Sequence, residues 1–388
     1  MKLITLGNIN TRIVYIIAGG ISLFIIRLFF SINNLTILSY YSYIFNIASS
    51  LGMSLSFILL ILYRSKNNNR KLKLKLNVNK REELFKRIED RYHKKRKFAK
   101  FKCMILSSVL DFIQTLLLNE LSKNVGLNIW IFDIIFIYLF YYLILKFRIY
   151  KHQYISLIII IFIGIILNII GIIHNNYSYK KYHCIIIRFI CEIIFSLRIV
   201  INKYTMDKKF VSPYELCFFQ GIMTLGLLLI FSPFAIFLNL SNDFKNYFNE
   251  FKDKKLKESF IFLFVLIIQF IYNLCIFITI YKTDAFHMMI IIIIGHLAPY
   301  FKGLIYAKCN IIDIIIIIGL IIILFMALIF NEIIILNFCG LEQNTRKYIC
   351  KRANYDLERN YDYEEYDEDH IIFNDDLANN NNNYLIEI

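Results

Sequence analysis

Residues 154–173 read YISLIIIIFIGIILNIIGII, twenty residues without a charge. This stretch decides the fold class. The hydrocarbon core of a bilayer is about 30 Å thick and an α-helix rises about 1.5 Å per residue, so about 20 apolar residues cross it. Comparable stretches recur on both sides. They predict spans at 11–31, 36–63, 102–121, 127–146, 154–173, 184–202, 213–239, 259–281, 285–306 and 311–336. Those longer than 20 residues are absorbed by tilt or by overhang into the interface. The first span has no small-residue cleavage site and is followed directly by another span, so it reads as a retained anchor.

Composition agrees. Of 388 residues, 58% are apolar or aromatic, and the mean hydropathy is +0.56. Soluble domains usually stay below one half. The wealth of Ile, Asn, Lys, Tyr and Phe looks like an AT-rich coding bias, so the isoleucine run 290–294 says "apolar" and little more. Eight cysteines form no C-x-x-C pair, which suggests neither a disulfide framework nor a zinc site. No metal and no cofactor are expected.

Lys and Arg set the orientation. Residues 64–101 carry 16 of them against Glu82, Glu83, Glu89 and Asp90. A cytosolic position for this loop puts both termini in the cytosol as well. Lys146, Arg148, Lys151, Lys203, Lys208, Lys209 and Lys282 fall on the same side, while 241–257 with five Lys is an exception. The N-x-[ST] acceptors Asn34, Asn176 and Asn239 all land on the opposite, lumenal side. A basic loop between two spans does not read as a nucleic-acid arm. Ser212-Pro213-Tyr214-Glu215 predicts a helix start with a capping box, Asn310 with Asp313 repeats it, and the link 122–126 predicts a tight antiparallel hairpin. From Ala353 onward the chain has 11 Asp or Glu against Arg359 alone, then Asn379–Asn383. Such a segment is expected to be disordered. The organisation expected is a transporter domain over 1–337, with halves 1–173 and 180–337, and an acidic cytosolic tail over 338–388.

Three stretches carry a resemblance. The first is Asp111-Phe-Ile-Gln-Thr-Leu-Leu-Leu-Asn-Glu-Leu with Trp130-Ile-Phe-Asp-Ile-Ile-Phe and the basic turn from Lys146 to Lys151. The second runs from Glu192-Ile-Ile-Phe-Ser-Leu-Arg198 through Lys203 and Met206 to Ser212-Pro213-Tyr214-Glu215-Leu216 and Gly221, and the third from Asp284 to Pro299. Together they make residues 11–337 resemble the drug/metabolite transporter superfamily, on the nucleotide-sugar-transporter-like or EamA-like side. The resemblance implies an all-α membrane protein whose ten transmembrane helices form two inverted five-helix repeats, with substrate bound near the midplane. The chain departs from two named groups. It lacks a Gly-Ala-Leu-Asn-Lys-like motif, the nearest stretch being Ala307-Lys-Cys-Asn310, and it lacks the paired Lys and Arg of triose-phosphate carriers.

An ionisable side chain inside a bilayer faces a cavity or a partner and is a functional candidate by default. Asp111 and Gln114 share a face of span three, and Gln269 and Asn273 share one on span eight. Arg188 and Glu192 are four apart on span six and can pair. Asp133 lies on span four, His296 and Lys302 on span nine, with Pro299 between the last two. Arg198 is expected to snorkel to the cytosolic interface, Glu215 to serve as a cap, and Asn46 and Asn168 to hydrogen-bond between helices. The expected substrate-binding set is Asp111, Gln114, Glu192, Gln269, Asn273, His296 and Lys302. Lys302 is the residue expected to meet an anion, because low dielectric strengthens its attraction to phosphate or carboxylate.

The reading that follows is a secondary carrier, not an enzyme, moving a small metabolite by alternating access across a Golgi, ER or vacuolar/endosomal membrane. Its expected partners are that small-molecule substrate and membrane lipid, with a homodimer compatible and no nucleic acid. Two alternatives stand beside it: a non-transporting scaffold with the carrier fold, and a membrane-embedded acyltransferase built around His296. There is no G-x-x-x-x-G-K-[ST] and no G-x-G-x-x-G to bind a nucleotide as an engine.

Overall fold

The computed structural model describes residues 4–6, 11–32, 42–74, 99–117, 129–146, 150–174, 182–237, 255–305, 310–336 and 345. The middle of the basic loop, the three glycosylation acceptors, the 122–126 hairpin and the acidic tail lie outside these residues. Helices fall on each of the ten apolar segments: α1 (Thr11–Ile32), α2 (Ser42–Ser54) and α3 (Ser56–Leu74), α4 (99–117), α5 (Asp133–Leu145), α6 (Lys151–His174), α7 (Tyr182–Lys209), α8 (Pro213–Phe237), α9 (Lys255–Lys282), α10 (His287–Ile305) and α11 (Ile311–Phe330). α2 and α3 are parted only by a turn at Leu55. Among the described residues, five helical stretches are long and apolar enough to cross a membrane: Phe45–Ser65, Lys151–Gly171, Pro213–Phe231, Ser259–Lys282 and Ile311–Phe330. The chain is an α-helical integral membrane protein.

Most helices expose one stripe and pack the other, whereas α10 is buried on all sides from Met288 to Ile293. On α1, Val14, Ile17, Ile21 and Ile25 are exposed, whereas Ile16, Gly20, Leu23 and Ile26 are buried. That three-to-four spacing is the mark of a helix with one packed face. α1 lies against α9 and α10, α2 against α8 and α9, α5 against α7, α6 against α11, and α10 against α11. α2 is gripped on two sides where side chains have been removed. A Cβ on Gly52 would stand 2.9 Å from the Leu266 carbonyl oxygen of α9, and one on Gly221 of α8 would stand 2.7 Å from Met53 Cβ. Small residues let membrane helices approach this closely and gain dispersion contacts.

The last span was expected to run to 336. It stops at Phe330, where Glu332 takes a left-handed backbone (φ 57) and Asn331 donates from its side chain to the Ala327 carbonyl at 2.8 Å. Ile334–Leu336 then forms a strand, β2, paired antiparallel with β1 (Ile4–Leu6), Ile4 facing Leu336. A short apolar run reads alike as helix end or strand, so this ribbon was not legible. It places the segment before α1 and the segment after α11 on one face of the molecule. The same face receives Lys282, whose ammonium lies 4.5 Å from the centre of the Tyr15 ring, and Lys100, which pairs with Glu215 at 2.8 Å. Lys146, Lys151, Lys203, Lys208 and Lys209 sit at the helix ends turned to it, and we call it the basic face.

Candidate functional site: a charged centre between helices

α4, α7 and α8 are joined by two polar layers one helical turn apart. In the layer nearer the basic face, the Ser107 hydroxyl bonds the Asn202 amide oxygen and Gln220 Oε1, the latter at 3.1 Å. Four residues along each helix, the Arg198 guanidinium pairs with the Asp111 carboxylate, and Thr224 Oγ1 donates to Asp111 Oδ2 at 2.9 Å. The i, i+4 spacing that stacks side chains on a helix face builds both layers at once. Arg198 therefore does not snorkel to the interface as the sequence suggested. Its carboxylate partner on α4 and the Phe195 ring, 5.2 Å from its guanidinium carbon, hold it inside.

Deeper from the basic face lies a second group. Arg188 pairs with Glu192 along α7, as the spacing predicts. Asp133, at the start of α5, is 1% exposed and lies in electrostatic reach of Glu192 and Arg188. Arg27 of α1 interacts electrostatically with Tyr272 of α9 and with Arg188 and Glu192; Tyr272 in turn interacts with Arg198, and His296 of α10 with Arg27 and Arg188. An isolated charge on a lipid-facing helix centre costs about 2.5–3.5 kcal/mol on insertion scales. Turning inward spares these groups that exposure, and Arg188 with Glu192 is the pair among them that closes within bonding distance.

Of the expected site residues, Asp111, Glu192 and His296 join this centre. Gln114 lies near Asp111 on α4, with its buried Oε1 lacking a hydrogen bond among the described residues. Gln269 and Asn273 are taken up otherwise. Asn273 Nδ2 donates to the Gln269 carbonyl at 2.9 Å and to Ser49 Oγ of α2 at 3.3 Å, so they bind helix to helix. Lys302 lies on α10, and its side chain falls outside the described residues. Glu215 is more than a cap: its backbone N–H donates to Ser212 Oγ at 3.2 Å, but its carboxylate binds Lys100 at 2.8 Å and approaches Arg64 at 3.9 Å. Asn168 bonds back to the Gly164 carbonyl of its own helix at 2.8 Å.

Sequence reasoning missed Arg27 and Tyr272. Arg27 had a signal: it follows Ile16, Gly20 and Leu23 on the buried stripe of α1. Tyr272 had none, since one tyrosine among 27 carries no mark of its position.

The basic end of this centre is closed. Lys203 Nζ, at the foot of α7, donates to the Thr283 carbonyl at 2.7 Å and lies 3.2 Å from Asp207. The Tyr141 hydroxyl reaches Asp284 at 3.4 Å, and the Phe286 ring stands 5.2 Å from Tyr141 and 4.8 Å from Phe330. Gln153 Nε2 fixes the Phe330 carbonyl at 3.1 Å. The ends of α5, α7, α9, α10 and α11 meet in this plug. Outside the apolar span 184–202, burial raises the Asp207 carboxyl above its ordinary range, and Lys203 pulls it part of the way back.

In comparisons with known proteins, no family model and no curated protein matches the chain.

Proposed function

We propose that the protein is a ten-span secondary carrier of a small metabolite, built as two inverted five-helix repeats in the manner of drug/metabolite transporters. One observation carries the reading: ionisable side chains from six helices, α1, α4, α5, α7, α9 and α10, turn away from lipid toward one region. An apolar scaffold has no use for such a centre, whereas a carrier needs polar groups at the point where solute is held.

The packing supports the repeat. If α7 to α11 are the counterparts of α1, α2/α3, α4, α5 and α6, most helix pairs come in matched sets. α1 on α10 corresponds to α7 on α5, and α10 on α11 corresponds to the α5 start, Ile129–Phe132, on α6. α1 on α9 corresponds to α7 on α4, tied by Arg198 and Asp111; α2/α8 and α6/α11 map onto themselves. The β1–β2 ribbon, with both ends on one face, fits an even number of crossings. Positive-inside bias makes that face cytosolic. The lysine and aromatic plug then closes the site toward the cytosol, and solute exchanges by rocking helix groups about the charged centre. The acceptor sites on the opposite side support an endomembrane location.

Reconstitution tests the reading. Purified protein in liposomes loaded with a metabolite panel is expected to catalyse counterflow of at least one solute. Lys302→Ala is expected to weaken transport of an anionic solute without preventing insertion. Absence of counterflow for every solute, by protein that is folded and oriented, favours the scaffold.

A further inference from the structure

Three arginines enter the membrane-embedded centre, and their surroundings differ. Arg188 has Glu192, and Arg198 has Asp111. Arg27, among the described residues, has no carboxylate within salt-bridge distance and no hydrogen bond. Its position on α1 is not a lipid-facing one. It continues the buried stripe Ile16, Gly20, Leu23, and the exposed stripe Val14, Ile17, Ile21, Ile25 runs along the other side. The packing of α1 on α10 fixes that rotation. A Cβ on Gly295 would overlap Leu23, one on Gly20 would overlap Ile294, and the Phe24 and Phe301 rings meet edge to face at 5.4 Å. Leu23 stands level with Gly295, and α1 and α10 run parallel. Arg27, one turn on, therefore comes level with the turn of α10 that follows His296. Arg27 thus lies on the packed side of α1, within electrostatic reach of Tyr272, His296, Arg188 and Glu192, and Glu192 is already paired with Arg188.

A guanidinium presents five donors in a planar fork matched to two oxygens of a carboxylate or phosphate. Held among packed helices with no acid in pairing distance among the described residues, it has its donors available for an oxyanion that comes from outside the chain. We propose that Arg27 is the anion-recognising residue of the carrier, receiving a carboxylate or phosphate group of the solute beside the Tyr272 hydroxyl and His296. This rests on the carrier reading for its consequence in transport, but the binding itself can be measured without transport.

The test uses the purified full chain in neutral detergent and follows thermal unfolding. The probes are inorganic phosphate, pyrophosphate and citrate, each against sodium chloride at equal ionic strength, with a separate arm of mixed micelles containing phosphatidylglycerol. The expected result is a saturable rise in Tm with at least one soluble oxyanion. Arg27→Gln is expected to weaken its apparent affinity tenfold or more, and Arg27→Lys less than that. If Arg27→Gln does not fold, Arg27→Lys carries the comparison, because it keeps the charge and loses the fork. Equal stabilisation of wild type and the substituted chain overturns the proposal. So does stabilisation by phosphatidylglycerol alone, which would make the group a lipid headgroup, and so does the absence of any shift with all three anions. Failure of counterflow in liposomes, with anion binding intact and sensitive to Arg27, would sink the carrier reading and leave the anion site standing.

Discussion

Arg198 on α7 and Arg27 on α1 stand the same number of residues past the first residue of their helices, Tyr182 and Thr11, and those helices are counterparts in the repeat we propose. Both lie in electrostatic reach of Tyr272, but among the described residues only Arg198 has a carboxylate in pairing distance. Arg198 pairs with Asp111 from α4, which also accepts from Thr224; Arg27 has Tyr272 of α9 in electrostatic reach. A carboxylate closes the first arginine into the framework. A tyrosine leaves the second electrically open. The contrast teaches that similar charges on two membrane helices can divide between structure and binding, and that the partner decides which.

The largest effect separates the two. Asp111→Ala leaves Arg198 buried without its counter-ion, and breaking a buried pair in this way costs about 3–5 kcal/mol. The unfolding temperature in detergent is expected to drop sharply, whereas Arg27→Gln is expected to leave it unchanged or raise it. Equal losses would erase the distinction.

Next is the contact that sets the spacing between the two neighbourhoods. Gly221→Val forces side-chain atoms into Met53 and the Ser50–Ser54 backbone of α2, and overpacking of this kind costs about 1–3 kcal/mol. Gly226 has nothing within 4 Å of its would-be Cβ, so Gly226→Ala is expected to be neutral or to stabilise by up to about 1 kcal/mol through helix propensity. Thermal unfolding of the pair measures the difference. A neutral Gly221→Val would mean that α2 and α8 are not held in this register.

A smaller change is expected at the basic end, which should loosen independently of either arginine. Lys203→Met removes the donor to the Thr283 carbonyl. Hydrogen exchange over residues 279–290 should quicken, with protection around Arg198 unchanged. Unaltered exchange there would show that Lys203 does not hold the plug.

The smallest effect concerns Asp207. Burial raises its pKa in the folded protein, so the fold favours the protonated form. Its stabilising contribution is present below the unfolded pKa and is lost as pH rises through the folded value. Asp207→Asn keeps a neutral side chain throughout, so its stability relative to wild type should rise slightly as pH climbs through the carboxylate range. The opposite slope would mean that the pairing with Lys203 outweighs burial.

The sequence by itself determined that helices cross a membrane and where they run. That information is local: an apolar stretch must exceed the hydrocarbon thickness, and every backbone polar group in lipid must be bonded within its own helix. It also determined the Arg188–Glu192 pair, because both partners lie on one helix at i, i+4. The end of α11 at Phe330 and the β1–β2 ribbon were not legible, since pairing across more than 300 residues leaves no periodic trace. Only the tertiary structure decided that Arg198 faces Asp111 and Arg27 faces Tyr272. Helix rotation about its axis is set by packing, here by Gly295 under Leu23 and Gly221 against α2, and a charge finds its partner only after that rotation is fixed.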